Sequence, residues 1–346
     1  MTIPLIQPHQ LNASPLVGFR NKLANPIFNV NQRGTSFTGL GTGVNYTSDR
    51  WLVERDGSGA TVDVAITEFP AGQAAPPVVS REWYMEYDCT VAGSGATYNR
   101  IRQKIEDAHT LHNGKATVTI WAEAAGAGTV NFSLHQNFGS GGSPSSQVNL
   151  VLQNAVSIGG SWTMYQYEVD IPSVFSKIFG TNGNSQLILN IDLPLNATYT
   201  FRLAHVSVVP GTVAPEDDPI SARFLSLEHM ICRRYMQKSY NLNVAPGAIS
   251  SAPGLLTNRN VLGSSLAWAA KWDVYFNPPM RGTPTVTAYS HGTGNAGNLY
   301  DSVLAADVGA GIANPGQHGC VIHNAGAIST VTTSFQQVHF TAISEL

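Results

Sequence analysis

The stretch "YSHGTGNAGNLY", residues 289–300, places Gly292, Gly294 and Gly297 at the spacing GxGxxG. That spacing cradles a pyrophosphate when it follows a strand, opens a helix, and has an acidic residue about 20 positions on for the ribose. Here "PTVTAYS" is a credible strand before the glycines, but "NLYDSVLAADVGAG" after them is too short and too soon interrupted for that helix. Asp307 also comes too early to reach a ribose. The glycines are read as shaping a loop. "HGCVIH" groups His318, Cys320 and His323, all types that ligate zinc. In a strand the first two share a face and the third points away, so no metal is assigned. "DAHTLHNG" sets His109 and His112 beside Glu106 and Asp107 in what reads as a solvated polar turn. "GTSFTG" lacks the spacing of a nucleophile elbow, and no pair among the 22 Asp and Glu is singled out by its neighbours. No catalytic residue and no cofactor are nominated, and the chain is expected not to be an enzyme.

Binding chemistry is better represented. Tyr numbers 12 and Trp 6, scattered among Asn, Asp and Gln. A ring beside amides and carboxylates suits a pyranose, which offers apolar C–H faces and a rim of hydroxyls. Most rings must fill cores. The candidate ligand residues are Tyr289, His291, Asn295 and Tyr300 in the glycine-rich loop, and Tyr98, Arg100, Arg102 and Gln103 on a polar strand.

The elements that carry these residues follow from periodicity. In "WTMYQYEVDI", Tyr165, Tyr167, Val169 and Ile171 alternate with Gln166, Glu168 and Asp170, the mark of a half-buried strand. "KATVTIWA" alternates in the same way, and "SQLILNID" and "TYTFRLAHVSVV" read as central strands. Loops such as "AAGAGT" and "FGSGGSPSS" punctuate them. The expectation is a mainly β chain in which a two-sheet antiparallel sandwich spans residues 25–212. Before it, Pro4, Pro8 and Pro15 interrupt residues 1–24, read as an extended, partly apolar arm. After it, "VVPGTVAPEDDPISARF" breaks the pattern and prepares a helix, with Asp218 as N-cap and Pro219 at the first position. Ile220, Phe224, Leu227, Ile231 and Tyr235 then form one stripe of a long helix of about 20 residues. It opens a smaller β domain, residues 213–346, with strands at "WDVYFNPPM", "TPTVTAYS" and "FQQVHFTAI".

Bulk composition excludes some partners. Charged residues are 12% and the net charge is −3, with no Lys and Arg cluster to neutralise phosphates, so no nucleic acid is expected. No run of 18 apolar residues exists and the first residues lack a secretion signal's pattern, so a soluble protein made in the cytosol, without membrane insertion, is expected. Cys89, Cys232 and Cys320 stand far apart and read as buried free thiols.

Three stretches together carry a resemblance. "NPIFNVNQRGTSF" followed by "YTSDRW" resembles the opening of a jelly-roll module similar to galactose-binding-like carbohydrate-binding modules, which recurs in tail fibres and other virion appendages of tailed bacteriophages. "IRQKIEDAHTLHNGKATVTIWAEA" looks like its middle, and "LEHMICRRYMQKSY" with "WDVYFNPPMRGTPTVTAYS" resembles the C-terminal region that accompanies it. The sequence departs from the family at Asn31, where a Trp commonly stands, so an aromatic anchor must come from elsewhere. Asp49, Arg50 and Trp51 match the family's most recognisable signature, with Trp51 read as core. The resemblance implies a virion protein assembled in the host cytoplasm, a homotrimer docked on other virion proteins through its arm. It further implies multivalent, non-covalent adhesion to host surface polysaccharide. A polysaccharide depolymerase or esterase, or a purely structural decoration protein, are the alternatives.

Overall fold

Apolar residues at every second position drive most of the chain into strands, as a computed structural model shows for residues 20–70, 72, 83–126, 128–214, 223–249, 253–259 and 265–346. Two compact units emerge. The first comprises the described residues up to Asn29, Thr35–Leu225 and Leu346; the second comprises Val30–Gly34 and Ser226–Glu345.

The first unit is a jelly-roll sandwich of two six-stranded sheets. In chain order its strands are β1 (Ser36–Phe37), β2 (Gly43–Tyr46), β3 (Trp51–Arg55), β4 (Thr61–Glu68), β5 (Trp83–Val91), β6 (Asn99–Glu106), β7 (Gly114–Gly126), β8 (Val130–Asn137), β9 (Val148–Val156), β10 (Thr163–Ile171), β11 (Gln186–Asp192) and β12 (Tyr199–Pro210). One sheet runs β1-β4-β5-β12-β7-β10 and the other β2-β3-β6-β11-β8-β9. Every pairing is antiparallel. The core forms where inward residues of both sheets meet: Val62, Val64, Met85, Val118, Ile120 and Phe201 from one, Trp51, Ile101, Phe132, Leu134, Leu187 and Leu189 from the other. Tyr165, Tyr167 and Val169 pack against it and Ile171 lies within it, as their alternation requires. Trp51 is fully buried, donates Nε1–H to the Asn25 carbonyl at 3.0 Å, and meets Phe28 at a ring distance of 5.0 Å. Phe28 thus supplies the aromatic anchor.

Residues 1–19 of the expected arm lie outside the described residues. Its last residues are not an arm. Leu23 is fully buried in the sandwich core, and the Asn21 carboxamide bridges Val206 O at 3.0 Å and Val208 N at 3.1 Å. An apolar side chain followed by a satisfied polar one fits an interior better than water.

The second unit opens with α1 (Leu225–Arg233), the one helix among the described residues. It is nine residues long, so the expected long helix is corrected. Asp218, Pro219 and Ile220 lie outside the described residues, and Phe224 is non-helical and 84% exposed. The buried stripe is Glu228 and Cys232, one position on from the expected Leu227 and Ile231, because so short a helix covers the core with two turns only. Eight strands follow: β13 (Met236–Lys238), β14 (Leu256–Arg259), β15 (Lys271–Tyr275), β16 (Thr285–Ser290), β17 (Asn298–Asp301), β18 (Ala306–Gly316), β19 (Gly319–Asn324) and β20 (Phe335–Ile343). They form one antiparallel sheet in which β20 pairs with β13, β14, β16 and β17. Trp272, Val274 and Phe276 face its core with Met280, Leu299, Ile322 and Phe340. Residues 30–34 join this unit: Gln32 Nε2 donates to Met236 O at 3.0 Å, Lys238 Nζ donates to Gln32 O at 2.7 Å, and Arg33 pairs with Glu345 at 2.9 Å. All three cysteines are buried and outside any disulfide among the described residues.

Candidate carbohydrate-binding face

Strand β6 turns Arg100 and Arg102 to the outer face of its sheet and Ile101 to the core. Register then assembles a polar ladder. Glu54 on β3 stands opposite Arg100, Asn190 on β11 opposite Arg102, and Ser133 on β8 opposite Asn190. Glu54 Oε2 accepts from Arg100 Nε at 2.9 Å and from Arg102 Nη1 at 2.7 Å. Burial alone would raise the Glu54 carboxyl, but these two guanidinium bonds and charges outweigh it and hold it below the usual carboxylate range.

His135, two residues along β8, completes the face. Arg102 Nη2 and Gln147 Nε2 both point at its Nδ1, at 3.4 and 3.2 Å. Both are donors, so Nδ1 accepts and the ring proton sits on Nε2, 2.9 Å from Ser133 Oγ. Burial, reinforced by the charges of Arg102 and Arg100, pushes this imidazole down to about 4, so it is neutral at physiological pH. Ser133 Oγ also accepts from Asn190 Nδ2 at 3.2 Å, which leaves its own O–H to give. Beside it, Asn190 Oδ1 and Arg102 Nε are buried and have no partner among the described residues. Three unspent groups, an N–H, a C=O and an O–H, therefore lie in one row across adjacent strands β6, β11 and β8, spanning about 10 Å. At its edges stand the Tyr98 ring, with the Arg100 guanidinium 4.5 Å above its centroid, and the exposed Asn149 and Gln147, joined at 2.6 Å.

Gln103 is not on this face. It points inward and exchanges two hydrogen bonds with the Ala24 backbone, at 2.7 and 2.8 Å, so its amide is spent on structure. Arg50 is likewise spent, on the Lys104 carbonyl at 2.5 Å.

The second group of candidates lies in the second unit. The glycine loop closes between β16 and β17 without a helix: Gly294 N bonds Ser290 O at 2.9 Å and Gly297 N bonds Ala288 O at 2.8 Å. Asp307 clamps it by accepting from Ser290 Oγ, Thr293 Oγ1 and Asn295 Nδ2, so Asn295 is tied into the loop. Tyr300 packs its ring on Gly292, where an added Cβ would come within 2.5 Å. Tyr289 meets Tyr240 at 6.3 Å, Tyr240 stacks on His339 at 3.9 Å, and His291 faces His339 at 6.2 Å with its Nδ1 buried and unpartnered. The structure thus gathers Tyr289 and His291 into an aromatic cluster and leaves Asn295 and Tyr300 as loop supports. Cys320 faces the core while His323 stacks on Trp268 at 3.8 Å, away from it. A shallow cleft of about 260 Å³ beside it is lined by Asp273, Asn314, His318 and Tyr275, whose ring is 82% exposed.

Glu54, Ser133, His135 and Asn190 were not foreseen. Their signal was polar side chains at the outward positions of apolar strands, in "NFSLHQN" and "LILNID".

No family model matches the sequence, and no curated protein does. Among solved structures, the chain is similar to the enzymatically active domain of tailspike protein 4 of bacteriophage CBA120, at 12% identity and a TM-score of 0.35, over 56% of this chain and 22% of that one. It is also similar to the xylan-binding domain CBM22-1 of Paenibacillus barcinonensis Xyn10C, at 13% identity and a TM-score of 0.30, over 53% and 99% of the two chains. A third likeness is to TmCBM61 solved with β-1,4-galactotriose, at 14% identity and a TM-score of 0.29, over 56% and 99%.

Proposed function

We propose that the chain binds polysaccharide without cleaving it, through the outer face of the β2-β3-β6-β11-β8-β9 sheet. The observation that carries this reading is the polar ladder on the outward positions of that sheet, Glu54, Arg100, Arg102, Asn190, Ser133 and His135, edged by the half-buried Tyr98 ring and the exposed Gln147 and Asn149. Tyr98 and Asn149 at the edges offer an apolar face and further amide contacts. Glu54, ionised and engaged by two guanidiniums, serves as a positioning group and not as a proton donor. In this reading the protein is a virion appendage of a tailed bacteriophage, homotrimeric, anchored on other virion proteins and adhering to the host surface by several weak sites at once. The three-segment sequence resemblance supports that assignment.

Affinity electrophoresis of the intact protein through gels containing host capsule or lipopolysaccharide tests it. The wild type should be retarded, and Gln147→Ala and Asn149→Ala, both at exposed positions, should each reduce retardation about tenfold in apparent affinity with an unchanged melting temperature. Equal mobility of wild type and variants, or release of reducing ends, would overturn the assignment.

A further inference from the structure

Alternation along β3 turns Trp51, Val53 and Arg55 to the inside of the sandwich. Arg55 therefore carries a guanidinium into the end of an apolar core, where it is 4% exposed beside Val62, Tyr87 and Cys89. Its Nη2 donates to Ala60 O at 3.2 Å, and its Nη1 is buried without a partner among the described residues. Among the described residues no carboxylate forms an ion pair with it. Asp56, next in sequence, spends its carboxylate on Thr97 N at 2.7 Å, Thr97 Oγ1 at 2.5 Å and Tyr98 N at 3.0 Å. The nearby acceptors are spent too, since Tyr87 Oη donates to Asn99 Oδ1 at 2.9 Å and Asn99 Nδ2 donates to Pro194 O at 3.1 Å.

Arg55 lines a pocket of about 20 Å³ that opens on one side past the exposed Ser58, Ser94 and Asn196. That is room for a water or one atom of similar size, since a single water needs roughly 10–15 Å³. Its walls are fixed. Ser58 and Ser94 exchange backbone hydrogen bonds at 3.0 and 2.9 Å, and a Cβ added to Gly93 or Gly57 would come within 2.6 Å of Ser58 O or 2.8 Å of Ser94 O. A water would satisfy the Nη1 hydrogen bond but leave a buried positive charge uncompensated, which the interior tolerates poorly.

We infer that this cavity is a halide site, holding one chloride ion against Arg55 Nη1 as the counter-ion of the sandwich interior. It is separate from the sugar face and does not depend on that assignment. Crystals of the intact chain soaked in sodium bromide should show an anomalous peak in hydrogen-bonding contact with Arg55. In solution, the protein should melt roughly 2–4 °C higher in sodium chloride than in sodium gluconate of equal ionic strength. Arg55→Met should remove that difference. Bromide only at the protein surface, identical melting of the wild type in the two salts, or a chloride response that survives in Arg55→Met would each overturn the site. If Arg55→Met does not fold, the bromide map of the wild type decides alone.

Discussion

Held down to about 4 by burial and by two neighbouring guanidiniums, the His135 imidazole costs the fold something in mild acid. The unfolded chain takes up this proton near pH 6.5 and the native state does not, so stability is full above that value and falls as pH drops toward 4. The loss amounts to about 3 kcal/mol at the low end. Urea denaturation of the wild type at a series of pH values should show this slope, and His135→Gln should flatten it. Asp301 acts in a lower window. Burial would raise this carboxyl, but hydrogen bonds from Leu304 N, Ser329 N, Ser334 Oγ and Gln336 Nε2 outweigh that and hold it below the usual range. Its contribution is present above the unfolded value of about 3.9 and vanishes as pH falls through the lower native one. Asp301→Asn turns donors against donors and should cost the second unit roughly 3–5 kcal/mol in urea denaturation at pH 7.

At the scale of elements, the loop between β16 and β17 depends on one carboxylate. Asp307→Ala releases Ser290, Thr293 and Asn295 together, and amide exchange across residues 290–297 should quicken at least tenfold while β20 stays protected. Strands such as β10 and β11 were legible because period-two alternation is local: one face of Tyr165, Tyr167 and Val169 can be seen without knowing the partner strand. The helix was overextended because Phe224 continues the 3.6-residue stripe in sequence yet stands outside the helix and exposed. The glycine loop was read correctly from its context. The site was half legible. Arg100 and Arg102 share a strand, but the residues that give them meaning come from β3, β8 and β11, and only antiparallel register brings Glu54, Ser133 and Asn190 beside them. Gln103 looked like their companion in sequence and faces the other way, since adjacent strand residues occupy opposite faces.

For the whole molecule, Asn21 and Leu23 of the expected arm are part of the sandwich. A chain lacking residues 1–24 loses Leu23 and the Asn21 bridge to β12, and should melt several degrees lower, because removing one buried leucine alone costs about 2–5 kcal/mol. Differential scanning calorimetry of that truncation against the intact protein, with the native mass of each, checks both this loss and the expected trimer. The five residues Val30–Gly34 carry another implication for anyone dissecting the protein. Because Gln32 and Arg33 contact Met236, Lys238 and Glu345, the C-terminal body is discontinuous in the gene. A recombinant fragment that starts at Ser226 is missing one of its own staves, and adding the peptide "VNQRG" in trans should restore part of its resistance to proteolysis.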